Sequence, residues 1–376
     1  MSDPSGYLLV GAVAAVITFL LTPLVGWVAT RVGWVSEPDD RRVHETPTPH
    51  VGGVAMFVGF LAAMGVAASL SRFDPLFAGN SEPLGVVLGC GVVFAVGFLD
   101  DVFDLSAPAK ITGTVAAGIV LSQFGVTMFN FRVPFLDLVQ LDDWSPLVTV
   151  LWLIGMTQAV NLIDGLDGLA AGIVAIAAGS FFLYGTHLSD LKLLVEPNIG
   201  PLIAVIAVGV CVGFLPHNFN PARIFMGDGG ALFLGALMAT STSVVGGRAA
   251  TVGADVAPGF AGQTYFFLAP LFIPLFILGV PILDMLFAIL RRATRRQGLA
   301  TADKGHLHHR LMDLGHGQRR SVLILWLWTA LLSGFVLYPV YSGSGTAIAP
   351  FAIVALGLAL YTVLHPQLRR TRDAAE

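Results

Sequence analysis

The chain has 376 residues, of which 55% are hydrophobic and only 12% charged, and its formal net charge is −4. Soluble domains carry about 25% charged residues, and the mean hydropathy of +0.80 points the same way, so a pair of water-soluble domains is excluded and a chain that meets lipid is implied. Nothing in the charge balance points to nucleic acid. The two cysteines, Cys90 and Cys211, lie inside apolar runs and supply neither a disulfide framework nor a thiolate cluster.

In hydrocarbon the backbone must satisfy its own hydrogen bonds, so the spanning elements are read as helices. Eleven apolar stretches follow one another near 7–29, 51–70, 84–99, 109–126, 147–163, 168–185, 199–217, 229–246, 265–290, 321–339 and 346–364. The first, from Tyr7 to Ala29, is too long for a signal-peptide core and has no basic region before it, so it is read as a retained span. The third and fifth are short, and the ninth carries Pro270, Pro274 and Pro281, which predict a bent or broken helix. The expectation is one all-α polytopic membrane domain covering 1–376.

With the amino terminus outside, the inner loops hold 16 of the 20 Lys and Arg residues, leaving Arg72, Arg132, Lys192 and Arg248 outside. The positive-inside rule selects this topology, with a cytoplasmic carboxyl terminus, over its mirror image.

Four polar motifs then fall on the inner side: Asp100-Asp101 with Asp104; Asn161, Asp164 and Asp167; Asp228 between glycines; and His306, His308 and His309. Adjacent carboxylates at a membrane boundary are costly without a cation, and Mg²⁺, a hard ion held by carboxylates and substrate phosphates, matches them. The three-residue spacing of Asn161, Asp164 and Asp167 puts them on one face of a continuing helix, or in a turn if the intervening glycines break it. Asp228 reads either as the cap of the eighth span or as a fixed metal ligand, and Arg223 could face a sugar or diphosphate oxygen. The histidines suit a diphosphate, with Lys304 and Arg310, better than a tetrahedral zinc set. The six arginines flanking them read as headgroup anchors. Arg41 and His44 in the first inner loop are candidates for a lipid phosphate, with simple anchoring as the other reading of Arg41. Asp284, in the ninth span, either pairs with Arg291 or faces a cavity. His187, His316 and His365 read as peripheral.

Together these residues resemble the polyprenyl-phosphate N-acetylhexosamine-1-phosphate transferase superfamily, in particular its WecA/TagO-like branch. Asp100 and Asp101 match the paired-aspartate motif. Asn161, Asp164 and Asp167 match Asn-x-x-Asp-Gly-x-Asp-Gly, Asp228 matches the metal-binding Asp of Gly-Asp-x-Gly, and His306, His308 and His309 match the His-x-His-His of the GlcNAc branch. His50 stands where many relatives carry Arg. The resemblance implies a bacterial cytoplasmic-membrane enzyme with its active site facing the cytoplasm. It would transfer GlcNAc-1-phosphate from UDP-GlcNAc to undecaprenyl or decaprenyl phosphate, releasing UMP, as the first membrane step of cell-envelope glycan synthesis. It implies Mg²⁺, or Mn²⁺ as substitute, on Asp228 with Asp101 or Asp164. Asp100 would orient or deprotonate the lipid phosphate, and Asn161, Asp167 and the histidines would hold the nucleotide sugar. Membrane lipid is the remaining partner, and a homodimer stays open. The alternatives are the same chemistry on another UDP-N-acetylhexosamine or UDP-MurNAc-pentapeptide and, in a different class, a transporter.

Overall fold

The computed structural model describes residues 5–36, 47–133, 137–247, 279–294, 310–312, 314–342 and 348–373. Arg41, His44, His306, His308 and His309, and the first part of the ninth expected span, lie outside the described residues.

The helices are α1 (Ser5–Val32), α2 (Gly53–Ser69), α3 (Asp74–Phe77), α4 (Glu82–Phe103), α5 (Ala107–Gln123), α6 (Ser145–Ile163), α7 (Leu169–Asp190), α8 (Gly200–Asn218), α9 (Gly227–Gly246), α10 (Gly279–Thr294), α11 (Gln318–Ser342) and α12 (Ile348–Asp373). The chain is therefore an α-helical polytopic membrane protein. By length and apolar character seven described helices qualify as spans, or eight if α2 and the segment after it, bent by 87°, form one broken span. The eleven expected spans are not reached on that measure. Helix α5 has 17 residues and α10 has 16, at or below the length that crosses a ~30 Å hydrocarbon layer. Two antiparallel hairpins outside the helices were not anticipated: β1 (Val35–Ser36) with β2 (Thr48–Pro49), and β3 (Asn130–Val133) with β4 (Asp137–Gln140).

Helix α9 is the axis of the bundle. The apolar window of α9 is entirely buried, against α2, α4, α6, α7 and α8, as its apolar and small residues on every side require. Its hydroxyl run adds no orphan polar group: Thr240 and Thr242 donate to the carbonyls of Ala236 and Met238, and Ser241 to that of Gly200. Helix α1 packs on α2 and α8, α5 on α4 and α6, α11 on α7, and α12 on α11.

Two of the prolines inside helices are compensated by histidines. Pro23 has no N–H for the carbonyl of Phe19, four residues earlier, and His217 Nε2 donates to that oxygen at 3.1 Å. Pro366 leaves the carbonyl of Thr362 in the same position, and His316 Nε2 donates to it at 2.8 Å. His316 is therefore a buried cross-link between the turn before α11 and helix α12, not a peripheral residue.

Candidate active site

Helix α9 begins without a side-chain cap of its own, which leaves N–H groups directed at the end of α4. Asp101, in the last turn of α4, supplies the missing acceptors. Its Oδ1 takes the N–H of Asp228 at 2.7 Å and its Oδ2 that of Gly229 at 2.9 Å. Asp228 thus does not cap α9; its own N–H is capped from another helix, and its side chain is left for other work. Gly227 makes the arrangement possible, because its φ of +70° suits glycine and a Cβ there would come within 2.7 Å of both Asp101 oxygens. Gly97 lets α4 lie directly against the start of α9: a Cβ on it would sit 2.5 Å from the Asp228 carbonyl oxygen.

The neighbouring carboxylate behaves differently. Asp100 Oδ1 accepts the N–H of Leu105 at 2.8 Å, and its Oδ2 accepts from Lys110 Nζ at 2.7 Å. The same Nζ reaches Asp228 Oδ2 at 3.2 Å, and Asn161 Nδ2 donates to that oxygen at 3.4 Å. One ammonium therefore stands between two carboxylates, drawn from α4, α5 and α9. Lys110 is one of the 16 inner basic residues, for which the charge bias alone supplies no individual role. Its position three residues into α5, one turn-and-break after the aspartate pair, was the available signal.

The broken form of the Asn161–Asp167 segment is the one observed. Helix α6 ends at Ile163, Asp164 follows it in a non-helical conformation, and Gly168 has φ +77°. Asn161 donates to Asp228 and the Asp164 carboxyl lies near enough to feel the Asp228 charge, whereas Asp167 is engaged elsewhere. Asp167 Oδ2 accepts from Asn220 Nδ2 at 2.8 Å and from the N–H of Ala222 at 3.0 Å. Asn220 also donates to Gln318 Oε1 and accepts from Arg319, so Asp167 braces the α8–α9 loop and the start of α11. Arg319 thus makes a defined protein contact in addition to any headgroup attraction. Asn218, unremarked in the sequence, is the second brace: its side chain accepts from Gly168 N–H and donates to the Ile224 carbonyl. Arg223 is exposed, its backbone N–H on the His217 carbonyl, and its side chain joins none of these contacts. Asp104 ends α4 with φ +54° and is exposed.

Burial, and then the nearby charges of Asp228 and Asp167, push the Asp164 carboxyl up to about 7. Among the described residues no three acidic, histidine or cysteine side chains are grouped as a ready metal cage. The donor set instead offers Asp228 and Asp100 around a position already taken by a cationic group, with Asp164 beside it. Magnesium is commonly held by one or two carboxylates together with substrate phosphates, and this arrangement fits that mode. Asp101, with both oxygens on helix N–H groups, fits it poorly.

The family model for glycosyl transferase family 4 matches residues 83–246, the stretch that contains Asp100, Asp101, Lys110, Asn161, Asp164 and Asp228. A decaprenyl-phosphate N-acetylglucosaminephosphotransferase of Mycobacterium leprae is 36% identical over 370 residues, 96% of this chain and 90% of that protein. A probable undecaprenyl-phosphate N-acetylglucosaminyl 1-phosphate transferase of Bacillus subtilis is 36% identical over 316 residues, 84% of this chain and 80% of its own length. A phospho-N-acetylmuramoyl-pentapeptide-transferase of Desulforudis audaxviator is 31% identical over 347 residues, 85% of this chain and 93% of that protein. The chain is a membrane transferase, and it belongs to glycosyl transferase family 4, among the polyprenyl-phosphate N-acetylhexosamine-1-phosphate transferases.

Proposed function

We propose that the protein transfers GlcNAc-1-phosphate from UDP-GlcNAc to a polyprenyl phosphate, giving polyprenyl-diphospho-GlcNAc and UMP at the cytoplasmic face of a bacterial membrane. The observation that carries the reading is the pair Asp100 and Asp228 converging on one ammonium at the start of the buried helix, in a chain similar along nearly its whole length to transferases so named. The excess of Lys and Arg in the inner loops supports the cytoplasmic orientation.

In the reaction an oxygen of the lipid phosphate forms a bond to the β-phosphorus of UDP-GlcNAc. The bond from that phosphorus to the bridging oxygen breaks, and the electron pair leaves with UMP. Both substrates are polyanions, so the site must first lower their mutual repulsion. Lys110 supplies one positive charge at the meeting point, and it can turn from Asp100 and Asp228 towards phosphate oxygens as they arrive. Asp228, with Asp164 beside it, would hold Mg²⁺ or Mn²⁺, which neutralises phosphate charge when bound. A phosphate monoester has a second pKa of about 6, so the nucleophile is already largely dianionic near neutrality. Asp100, with an oxygen on the Leu105 N–H and the other on Lys110, then acts by orienting the lipid phosphate and Lys110 rather than by removing a strongly held proton. Asn161 steadies Asp228. Asp167 acts on the nucleotide-sugar pocket through the Asn220 loop. Arg223 sits at the rim, and Arg41, His44, His306, His308 and His309 are assigned to the phosphates of the two substrates from their motifs alone.

The test is a Mg²⁺-dependent assay on purified protein with undecaprenyl and decaprenyl phosphate and three donors in parallel: UDP-GlcNAc, UDP-GalNAc and UDP-MurNAc-pentapeptide. UMP release with a diphosphate-linked GlcNAc lipid supports the proposal. Release of UDP, or turnover confined to another donor, overturns it.

A further inference from the structure

We propose that Asp101 and His50 form a positioning pair that sets the start of α9, and hence the place of Asp228, and that Asp101 is not a metal ligand. The proposal builds on the reading of Asp228 as the metal-holding residue, and three observations carry it.

First, both oxygens of Asp101 are engaged on the second and third N–H groups of α9, at 2.7 and 2.9 Å. This is the bond pattern of an N-cap supplied in trans, and charge-assisted by the positive end of the helix dipole. Helix α9 has no cap of its own, and from Gly229 onward it is buried in the bundle centre.

Second, the carbonyl of Asp101 is left without its helical partner. The N–H of Leu105, which would ordinarily close on it, goes to the Asp100 side chain. His50 Nε2 takes that carbonyl at 2.9 Å. The pair of aspartates is thus divided in function: Asp100 ends α4 and faces Lys110, while Asp101 ties α4 to α9 and is itself tied to His50.

Third, the segment that carries His50 is stitched to the chain just before Asp228. The N–H of Phe225 donates to the Pro49 carbonyl at 2.8 Å, and the N–H groups of Gly52 and Gly53 donate to Phe225 and Met226, each at 2.9 Å. The His50 carbonyl lies where a Cβ on Gly227 would come within 2.0 Å. The start of α2, the end of α4 and the start of α9 therefore form one knot, with Asp228 directed out of it towards Lys110 and Asn161.

The two roles for Asp101 predict opposite signs in metal-free protein. If Asp101 were a metal ligand, D101N and D101A in EDTA would melt at the wild-type temperature or above it, because one of several repelling carboxylates is gone. Their Mg²⁺-induced stabilisation would be lost. As a cap, Asp101 predicts that D101A melts lower in EDTA, D101N less so because its amide oxygen retains one acceptor, and that the Mg²⁺-induced shift persists in D101N.

The activity readout is kcat per folded enzyme against KM for UDP-GlcNAc. Both Asp101 variants should lose at least tenfold in kcat, with KM within about threefold of wild type. H50A should reproduce that pattern, and H50Q, whose amide still donates to the Asp101 carbonyl, should recover most of the loss. Should D101A not fold, D101N and the two His50 variants carry the same comparison. Unchanged or raised melting of D101N in EDTA, a Mg²⁺ requirement shifted tenfold or more with kcat restored at saturating metal, or H50A with wild-type kcat would each overturn the proposal. The melting comparison is independent of the donor sugar, so it stands or falls apart from the assigned reaction.

Discussion

Replacing Lys110 by Gln separates two effects that a general loss of structure would combine. Lys110 Nζ lies 2.7 Å from Asp100 Oδ2 and 3.2 Å from Asp228 Oδ2, so the two carboxylate oxygens are at most about 6 Å apart and a divalent cation between them sits close to the ammonium. Taking a separation of roughly 5 Å and the full screening of water, a charge of +2 and a charge of +1 repel by about 1.7 kcal/mol, and less screening raises this. The lysine side chain is 25% exposed and that of Asp100 8%, so water-like screening is the conservative choice. K110Q should therefore bind Mg²⁺ at least about tenfold more tightly in the absence of substrate. Turnover should move the other way, by about 10²–10³ in kcat, because the charge that meets the phosphates is gone. Isothermal titration or the Mg²⁺ dependence of the melting temperature reads the first effect, and UMP release reads the second. K110R should keep more of the turnover than K110Q, since it retains the charge while its planar fork suits the two oxygens differently. Metal affinity unchanged or weakened in K110Q, together with near-normal kcat, would refute the placement of Lys110 between substrate and metal.

Further outcomes follow from the same geometry. D228N should cost about 10²–10³ in kcat and weaken the Mg²⁺ requirement, read as UMP release against metal concentration; near-normal turnover would remove Asp228 from its assigned role. Asp164, whose carboxyl burial holds at about 7, binds its proton more tightly folded than unfolded. It therefore lowers the stability of metal-free protein as pH rises from about 4 to about 7 and adds no further change above that. Mg²⁺ competes with the same proton, so its apparent affinity should rise by up to tenfold per pH unit below 7 and level off above; D164N should flatten both profiles in melting experiments. G97A drives a methyl against the Asp228 carbonyl at 2.5 Å and should destabilise the protein by about 1–3 kcal/mol, with a lower melting temperature in detergent and reduced kcat, because the strain falls on the residue proposed to hold the metal.

Much of this site is legible in the chain because its chemistry is expensive in a membrane. An aspartate at the end of an apolar run has few reasons to be there, and Asp100, Asp101, Asp164 and Asp228 all stand out on that ground. Which aspartate does what is not legible, since it depends on backbone groups that a sequence does not display. Asp100 and Asp101 are identical neighbours, yet one faces Lys110 and the other is taken up by the N–H groups of a helix more than 120 residues later. Asp167 matches its motif as well as Asp164 does, but the turn after Ile163 sends it to Asn220. The number of spans suffers from the same limit: apolar composition locates the helices, whereas α5 and α10 are short for a full crossing and α2 ends in a sharp bend, features set by packing against neighbours.

The centre of the molecule explains why a few small residues weigh so heavily here. The proposed role of Asp228 needs a fixed position, and in this fold the fixing comes from the start of a helix that is fully buried from Gly229 onward. At that half-buried start the N–H groups of Asp228 and Gly229 are met by protein. Asp101 meets them, which requires α4 to approach within contact of α9, and that approach requires Gly97 and Gly227. The glycine-flanked Asp228 motif and the paired aspartates are then two halves of one constraint: the first exposes helix N–H groups beside a carboxylate, and the second supplies one acid to quiet those groups and another to share the cation.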